Sequence, residues 1–295
     1  MFTFSQVILS GDNYCLLERT LGIWIKPANN IDSSLPTELC RGEFNRIKPA
    51  FNGQAVLAEM KDGAIMVIPL GNSNERTILK SKESSPKVLE NDSNVLDFVS
   101  LGNKILIIYD DGSISLHIFS LENMKLIASN NIQLIEDDPV KFGRASLALS
   151  PDTSSPVVTA FLVESAGFMG GGDQFALVFE VDEASKNLKK LFYERRKDND
   201  YQVMRGREIV VVGHRREDIV VVDVDRRESN NTGSTWVDTK VHHLDLKGKQ
   251  WKTVKTHFFN FFMDGLAQVG QGFGSDVILS GEMGEVKVMK HEFVG

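Results

Sequence analysis

Short apolar runs that break at a tight turn and resume as an alternating strand recur along this chain. Ala55–Leu70 reads AVLAEMKDGAIMVIPL, Lys104–Phe119 reads KILIIYDDGSISLHIF, and Asp276–His291 reads DVILSGEMGEVKVMKH. Each run is rich in Val and Ile, and the second half of each alternates apolar with polar, the period of a strand. The steps Asp62-Gly63 and Asp111-Gly112 supply the positive φ that a two-residue hairpin turn requires. Met283-Gly284 holds the corresponding place in the last run. Three more segments repeat the pattern with more decay: Val7–Ile25, Val157–Asp182 and Glu208–Asp225. Further strands are predicted at Glu75–Lys80, Lys125–Ser129, Leu188–Glu194 and Val241–Leu246. No stretch keeps apolar residues at helical spacing with caps for three turns.

Most of these units begin about 50 residues apart, and four short strands per unit at such a period is the pattern of a propeller blade. The expected fold is all-β: one propeller domain over 1–295, with six four-stranded blades, seven being the alternative count. The expected blades are 7–42, 45–82, 94–130, 142–195, 203–256 and 260–293. The last unit is one strand short, so residues 2–6 are expected to supply its fourth strand and close the ring, which hides an otherwise exposed edge. A two-sheet sandwich is the rival all-β reading, and the number of repeats argues against it.

The repeats resemble those of the WD-repeat and related propeller families. The Trp-Asp step of those families is missing, because Trp24, Trp236 and Trp251 are followed by Ile, Val and Lys; Gly213-His214 is a single copy of their Gly-His step. The resemblance implies a scaffold for multiprotein complexes. The missing Trp-Asp implies blades resting on apolar packing rather than on the usual inter-strand polar network. The opening FTFSQVILS is similar to that of propeller subunits of nucleolar ribosome-assembly complexes. Ser229–Trp236 resembles the Asp-box turn of sialidase-like propellers, with Asn231 where the Asp belongs.

Composition changes the picture little. Charged residues make up 25% of the chain and the net charge is −7, which offers no bulk attraction to nucleic acid or an anionic membrane. Cys15 and Cys40 fit a reducing interior as small apolar residues. Met1–Ser10 lacks the basic start of a signal peptide, and no apolar run reaches the length of a membrane span. An intracellular protein is expected, cytoplasmic or nuclear, with no membrane partner.

Candidate chemistry is sparse. Tyr193 and Glu194 are the residue types of a sialidase nucleophile pair, but neighbours on a strand take opposite faces. The six histidines show no metal-ligand spacing, and His242-His243 should place one ring inside and one outside. The loops Gly167–Gly172 and Gly270–Gly274 lead into no helix that could bind phosphate. Phe258–Met263 is expected to be core strand near the central axis. No catalytic residue, cofactor or metal is expected.

One feature stands out by charge. Residues 186–227 carry twelve Lys and Arg against eight Asp and Glu, in a chain that is negative overall. Arg195-Arg196, Arg215-Arg216 and Arg226-Arg227 form three pairs, and arginine forks suit carboxylates and phosphates. They are the candidate partner-binding residues, for an acidic protein segment or for RNA. The expected function is a non-catalytic protein-interaction scaffold within a larger complex. The alternatives are an RNA-associated ribosome-assembly subunit and a sialidase-like or lectin-like glycan binder.

Overall fold

The structure, a computed structural model, describes residues 4–30, 35–71, 76–79, 94–133, 135, 141–149, 157–165, 172–182, 187–197, 204–214, 218–228, 235–259, 263–269, 276–281 and 286–289. For 148, 204–241 and everything after 252 only the backbone is described. The chain divides into two compact units, Met1–Gln133 and Leu134–Gly295. Among the described residues regular structure is all strand, apart from two short 3-10 turns.

The first unit holds three antiparallel sheets, each a meander in chain order. Sheet 1 is β1 (Gln6–Ser10), β2 (Asn13–Glu18), β3 (Gly22–Pro27) and β4 (Thr37–Arg41). Sheet 2 is β5 (Phe44–Ala50), β6 (Ala55–Met60), β7 (Ile65–Pro69) and β8 (Thr77–Leu79). Sheet 3 is β9 (Val95–Leu101), β10 (Lys104–Tyr109), β11 (Ser113–Ser120) and β12 (Lys125–Gln133). The Asp-Gly turns form as the residues require. Gly63 has φ +82° and donates to Met60 O at 3.0 Å, and Gly112 has φ +75° and donates to Tyr109 O at 3.0 Å.

The second unit repeats the plan. Sheet 4 is β13 (Phe142–Leu149), β14 (Val157–Glu164), β15 (Gln174–Asp182) and β16 (Asn187–Arg196). Sheet 5 is β17 (Met204–His214), β18 (Asp218–Glu228), β19 (Thr235–Asp245) and β20 (Gln250–Phe259). Sheet 6 has three strands among the described residues: β21 (Met263–Val269), β22 (Asp276–Gly281) and β23 (Val286–Met289).

Successive sheets meet through their first strands: β1 lies against β5 and β5 against β9 in the first unit, β13 against β17 and β17 against β21 in the second. The sheet faces then bury each other. Leu17, Ile23 and Cys40 of sheet 1 pack on Phe44, Ile47, Val56 and Ile68 of sheet 2. The opposite face of sheet 2 presents Leu57, Ile65 and Val67 to Phe98, Ile105, Ile107 and Phe119 of sheet 3. This explains the near-continuous apolar runs of β6 and β10, since a strand covered on both faces has no wet side. Pro49 is tolerated in β5 because a first strand is a sheet edge, where no second ladder asks for its missing N–H.

Polar side chains clasp the first strands together. Gln6 grips the backbone of Ile47 with both ends of its amide, Nε2 donating to Ile47 O at 2.9 Å and Oε1 accepting from Ile47 N at 2.8 Å. Ser10 Oγ donates to Ala55 O at 3.0 Å, and Phe51 N donates to Ser100 Oγ at 3.0 Å. The segment expected to close the ring is partly accounted for by the first clasp. Residues 2 and 3 lie outside the described residues, while Ser5 donates to Leu17 O at 2.8 Å and Gln6 pairs with Leu17 inside sheet 1.

Cys15 and Cys40 are free and buried, on strands separated by β3. Burial pushes the Cys15 thiol up to about 11, and it raises Cys40 as well, with Arg76 lowering and Glu38 raising by smaller amounts. Native protein at pH 8 should therefore leave both thiols unmodified by a maleimide for hours. Rapid labelling of either, read by mass spectrometry, would contradict this packing.

Candidate functional site

The first arginine pair lies at the end of β16, the outer strand of sheet 4, and the two residues take opposite faces. Arg195 Nε donates to Asp173 Oδ2 at 2.6 Å, and its guanidinium lies 5.2 Å from the centre of the Phe175 ring. The bond to Asp173 raises its pKa further above the ordinary arginine value. Tyr193 shares this face, its ring 6.4 Å from Phe175 and 5.2 Å from Lys190 Nζ. Arg196 and Glu194 share the other face, with Arg196 Nε donating to Glu194 Oε1 at 3.0 Å. Tyr193 and Glu194 thus turn away from each other, as strand geometry requires.

Arg196 belongs to the seam between sheets 4 and 5. Its guanidinium sits 4.1 Å above the ring of Trp251, at the start of β20. Trp251 is buried and packs edge-on against Phe161 at 5.1 Å and His242 at 5.4 Å. His242 is buried here and His243 only half-buried, the division expected of adjacent strand residues. A cation held over a buried indole contributes about 1–2 kcal/mol. Arg196 therefore acts on the fold before it can act on a partner.

Strand register locates the other two pairs. Arg215 and Arg216 lie outside the described residues, between His214 at the end of β17 and Asp218 at the start of β18. A row of paired residues crosses sheet 5 from His214 through Ile219 and Leu244 to Trp251, the residue under Arg196. The first pair thus stands at the end of sheet 5 where β17 stops and β18 begins. Arg226 and Arg227 lie at the other end of β18, opposite Gly206 and Met204. Eight residues separate Asp218 from Arg226, about 26 Å of strand. Arg226 and Arg227 therefore stand well away from the end of sheet 5 at which Arg196 sits.

Two clusters that the sequence reading missed are better organised. In the first, β5 sends Arg46 and Lys48 across to sheet 3. Arg46 binds Glu59 through Nε, Asp97 Oδ1 at 3.2 Å and Leu96 O at 2.7 Å, and Lys48 Nζ donates to Asp97 Oδ1 at 2.6 Å. Both cations also lie over the Phe98 ring, at 4.8 and 5.4 Å. Asn45 Nδ2 fills Glu59 Oε1 at 3.1 Å. With Asp97 only 3% exposed, this is a satisfied charge network joining two sheets.

In the second, Tyr109, Ser115, His117 and Ser129 form a hydrogen-bonded chain across β10, β11 and β12. Tyr109 Oη lies 3.1 Å from Ser115 Oγ, His117 Nε2 2.9 Å from the same Ser115 Oγ, and His117 Nδ1 3.0 Å from Ser129 Oγ. This corrects the expectation of blades held by apolar packing alone: a polar inter-strand network exists, built from different residues than the Trp-Asp families use. Its sequence signal is the alternation Ser113-x-Ser115-x-His117, which reads as a solvent face. That face is instead covered by sheet 2, and the hydroxyls and imidazole satisfy one another.

Burial of His117 lowers its pKa to about 4. The folded protein keeps the ring neutral, while the unfolded chain takes up its proton below about 6.5. The stability that the buried neutral ring supplies is complete above pH 6.5 and drains away as pH falls from 6.5 to 4, by about 3 kcal/mol in total. Urea unfolding of the parent and of His117→Gln across this range should show the extra acid loss in the parent only. Equal slopes would place His117 in water.

Other expectations fall as follows. The Asp-box-like segment 229–234 lies outside the described residues, as do 166–171 and 270–275 of the glycine loops and the Met283-Gly284 turn. The aromatic run does not form one strand: Phe258 and Phe259 end the outer strand β20, and Met263 opens the first strand of sheet 6. Among the described residues no group of three or more His, Cys, Asp or Glu could hold a metal, and no helix is long and apolar enough to cross a membrane.

Six antiparallel meanders, three in each unit and joined within each unit through their first strands, match known architectures. A Myceliophteria thermophila Cps50 (Swd1) β-propeller domain superposes with TM-score 0.57 at 10% identity, over 98% of this chain and 84% of that one. The Vanderwaltozyma polyspora Nup133 β-propeller domain gives 0.54 at 12%, over 99% and 83%. A chain from the S. cerevisiae complex of Dbp5 with Nup159, Gle1, IP6 and ADP gives 0.53 at 10%, over 97% and 75%. The fold is a β-propeller. No protein-family model and no curated protein sequence matches the chain. In propeller terms, β1, β5, β9, β13, β17 and β21 are the innermost strands of their blades. The clasps of Gln6, Ser10 and Ser100 and the Arg46–Asp97 network tie the inner strand of one blade to the inner strand, second strand or intervening turn of its neighbour within the first unit.

Proposed function

We propose that this propeller is a non-catalytic scaffold subunit of a larger intracellular assembly, built as one domain over 1–295, and that it holds protein partners. The observation that carries the reading is likeness of fold along nearly the whole chain to propeller domains of Swd1 and Nup133 and to a chain in a complex of several proteins. Fold alone does not assign function. The internal use of charge adds support: Arg46, Lys48, Arg195 and Arg196 each bind a carboxylate of their own chain.

The separation of the arginine pairs favours protein over RNA as the partner. A nucleic-acid site needs one continuous basic track, and the third pair stands about 26 Å of strand away from the end of sheet 5 at which Arg196 sits. Exposed Arg195 is the proposed contact for an acidic protein segment, with Arg215 and Arg216 as further candidates.

The test is isolation of the tagged chain with its partners at 0.15 M and 0.5 M salt, repeated with Arg215→Glu/Arg216→Glu. The core partners should remain in all cases, and the double variant should lose at most a peripheral one. Loss of every partner at 0.5 M salt, with RNA in the low-salt complex, would favour the RNA-associated alternative. Hydrolysis of a sialoside that Glu194→Gln abolishes would overturn the non-catalytic reading.

A further inference from the structure

Arg195 and Arg196 are neighbours in sequence but differ in what they leave open. Arg196 is committed to Glu194 and to the Trp251 ring. Arg195 is exposed, yet its guanidinium is held at two points. Its Nε–H goes to Asp173, and the group lies over the buried Phe175 ring. Asp173 is itself fixed where β14 ends and β15 is about to begin. Glu164 N donates to Asp173 O at 2.9 Å, and Asp173 N donates to Glu164 Oε2 at 3.1 Å.

A loose arginine gives up rotamer freedom when it binds, and one already held gives up less. A guanidinium has five N–H donors, and the described residues take only the Nε–H of Arg195. Nη1 and Nη2 form the end-on edge of the fork, which matches the two oxygens of one carboxylate. Summed charge does not mark this place out. Asp173 and Glu164 both act on the guanidinium and offset its field, while exposed Lys197 adds to it. What sets Arg195 apart is the fixed geometry of its donors.

We propose that Arg195 is a pre-set fork for a single Asp or Glu carboxylate of a partner protein, with Asp173 as the positioning residue that sets it. The inference rests on the scaffold reading and deepens its acidic-segment contact. Two consequences separate a fork from a charged patch. Lysine in place of Arg195 keeps the charge but loses the planar pair of donors, and should not substitute. Alanine in place of Asp173 removes a negative charge, which would strengthen a purely electrostatic contact with an acidic segment. It should weaken this one, because the guanidinium is no longer held.

The experiment uses the native assembly isolated through a tag on this chain. Phenylglyoxal, which modifies accessible guanidinium groups, is the probe, read at Arg195 by mass spectrometry. Arg195 should react about tenfold more slowly in the parent assembly than in the chain alone, because both Nη groups are bonded there. Release of each partner is then followed after addition of excess untagged chain. One partner should leave the Arg195→Lys and Asp173→Ala assemblies about fivefold faster than the parent. Both variants should keep the parent unfolding temperature, and if Asp173→Ala does not, Arg195→Lys decides alone. Equal reactivity of Arg195 in an intact assembly overturns the inference and leaves the scaffold reading standing. Parent-like release from Arg195→Lys, or slower release from folded Asp173→Ala, overturns it in favour of a contact made by charge. Failure to recover any assembly removes both readings.

Discussion

Replacing Gly53 by alanine should cost about 4 kcal/mol, enough to leave much of the protein unfolded at 37 °C. Gly53 ends the 3-10 turn after β5 and has φ +86°, a region that disfavours a side chain. It also touches the turn after β1: a Cβ there would stand 2.2 Å from Gly11 N and 2.5 Å from Gly11 Cα. The reciprocal approach is nearly as close, since a Cβ on Gly11 would lie 2.8 Å from Gly53 O. Neither neighbour is a flexible side-chain tip. The backbones of two adjacent blades would have to part, and the bond from Ser10 to Ala55 and the grip of Gln6 on Ile47 lie in the same seam. Gly63, also at positive φ but with open space around it, is the control. Gly63→Ala should cost only about 1 kcal/mol, the conformational part alone. Chemical denaturation of the three proteins separates the two terms, and equal losses at Gly53 and Gly63 would contradict the close blade contact.

The second large effect is expected at Asp97. Its carboxylate, almost wholly buried, accepts from both Arg46 and Lys48. Asp97→Ala leaves two cations near the Phe98 ring without the carboxylate they share, with Glu59 left to bind Arg46. Removing one partner of a buried ion pair typically costs about 3–5 kcal/mol, and the one-third exposure of the two cations puts the expected loss near the lower figure, about 3 kcal/mol. Much of that loss is stranded charge rather than lost attraction. Lys48→Met should therefore recover about 1 kcal/mol or more when added to Asp97→Ala, while costing stability on its own. Strict additivity of the two substitutions would mean that the network contributes nothing as a unit.

These effects sit where the sequence was hardest to read, and the reason is physical. Hairpins announce themselves locally. An apolar run, an Asp-Gly step and a second run specify β6–β7 and β10–β11 from residues within sixteen positions of each other. The clasps are different, because Gln6 and Ile47, or Arg46 and Asp97, become neighbours only when blades stack. A polar residue at alternate positions also looks the same whether its face meets water or another blade. Ser115 and His117, polar positions of such an alternation, are buried against the neighbouring blade. Trp251 was counted only for the missing Asp after it, yet it is the floor on which Arg196 rests. The arginine pairs were visible as charge, but their separation follows from register and strand length, which charge counting does not contain. Phe258–Met263 misled because aromatic density carries no mark of where one blade ends and the next begins.

Sedimentation velocity of the tagged chain in native extract tests the scaffold claim most directly. The account predicts that most of the 32.9 kDa chain moves in a particle several times heavier, and that this particle persists in 0.5 M salt and after ribonuclease treatment. A boundary at the monomer mass, under conditions in which the protein is folded, would contradict it.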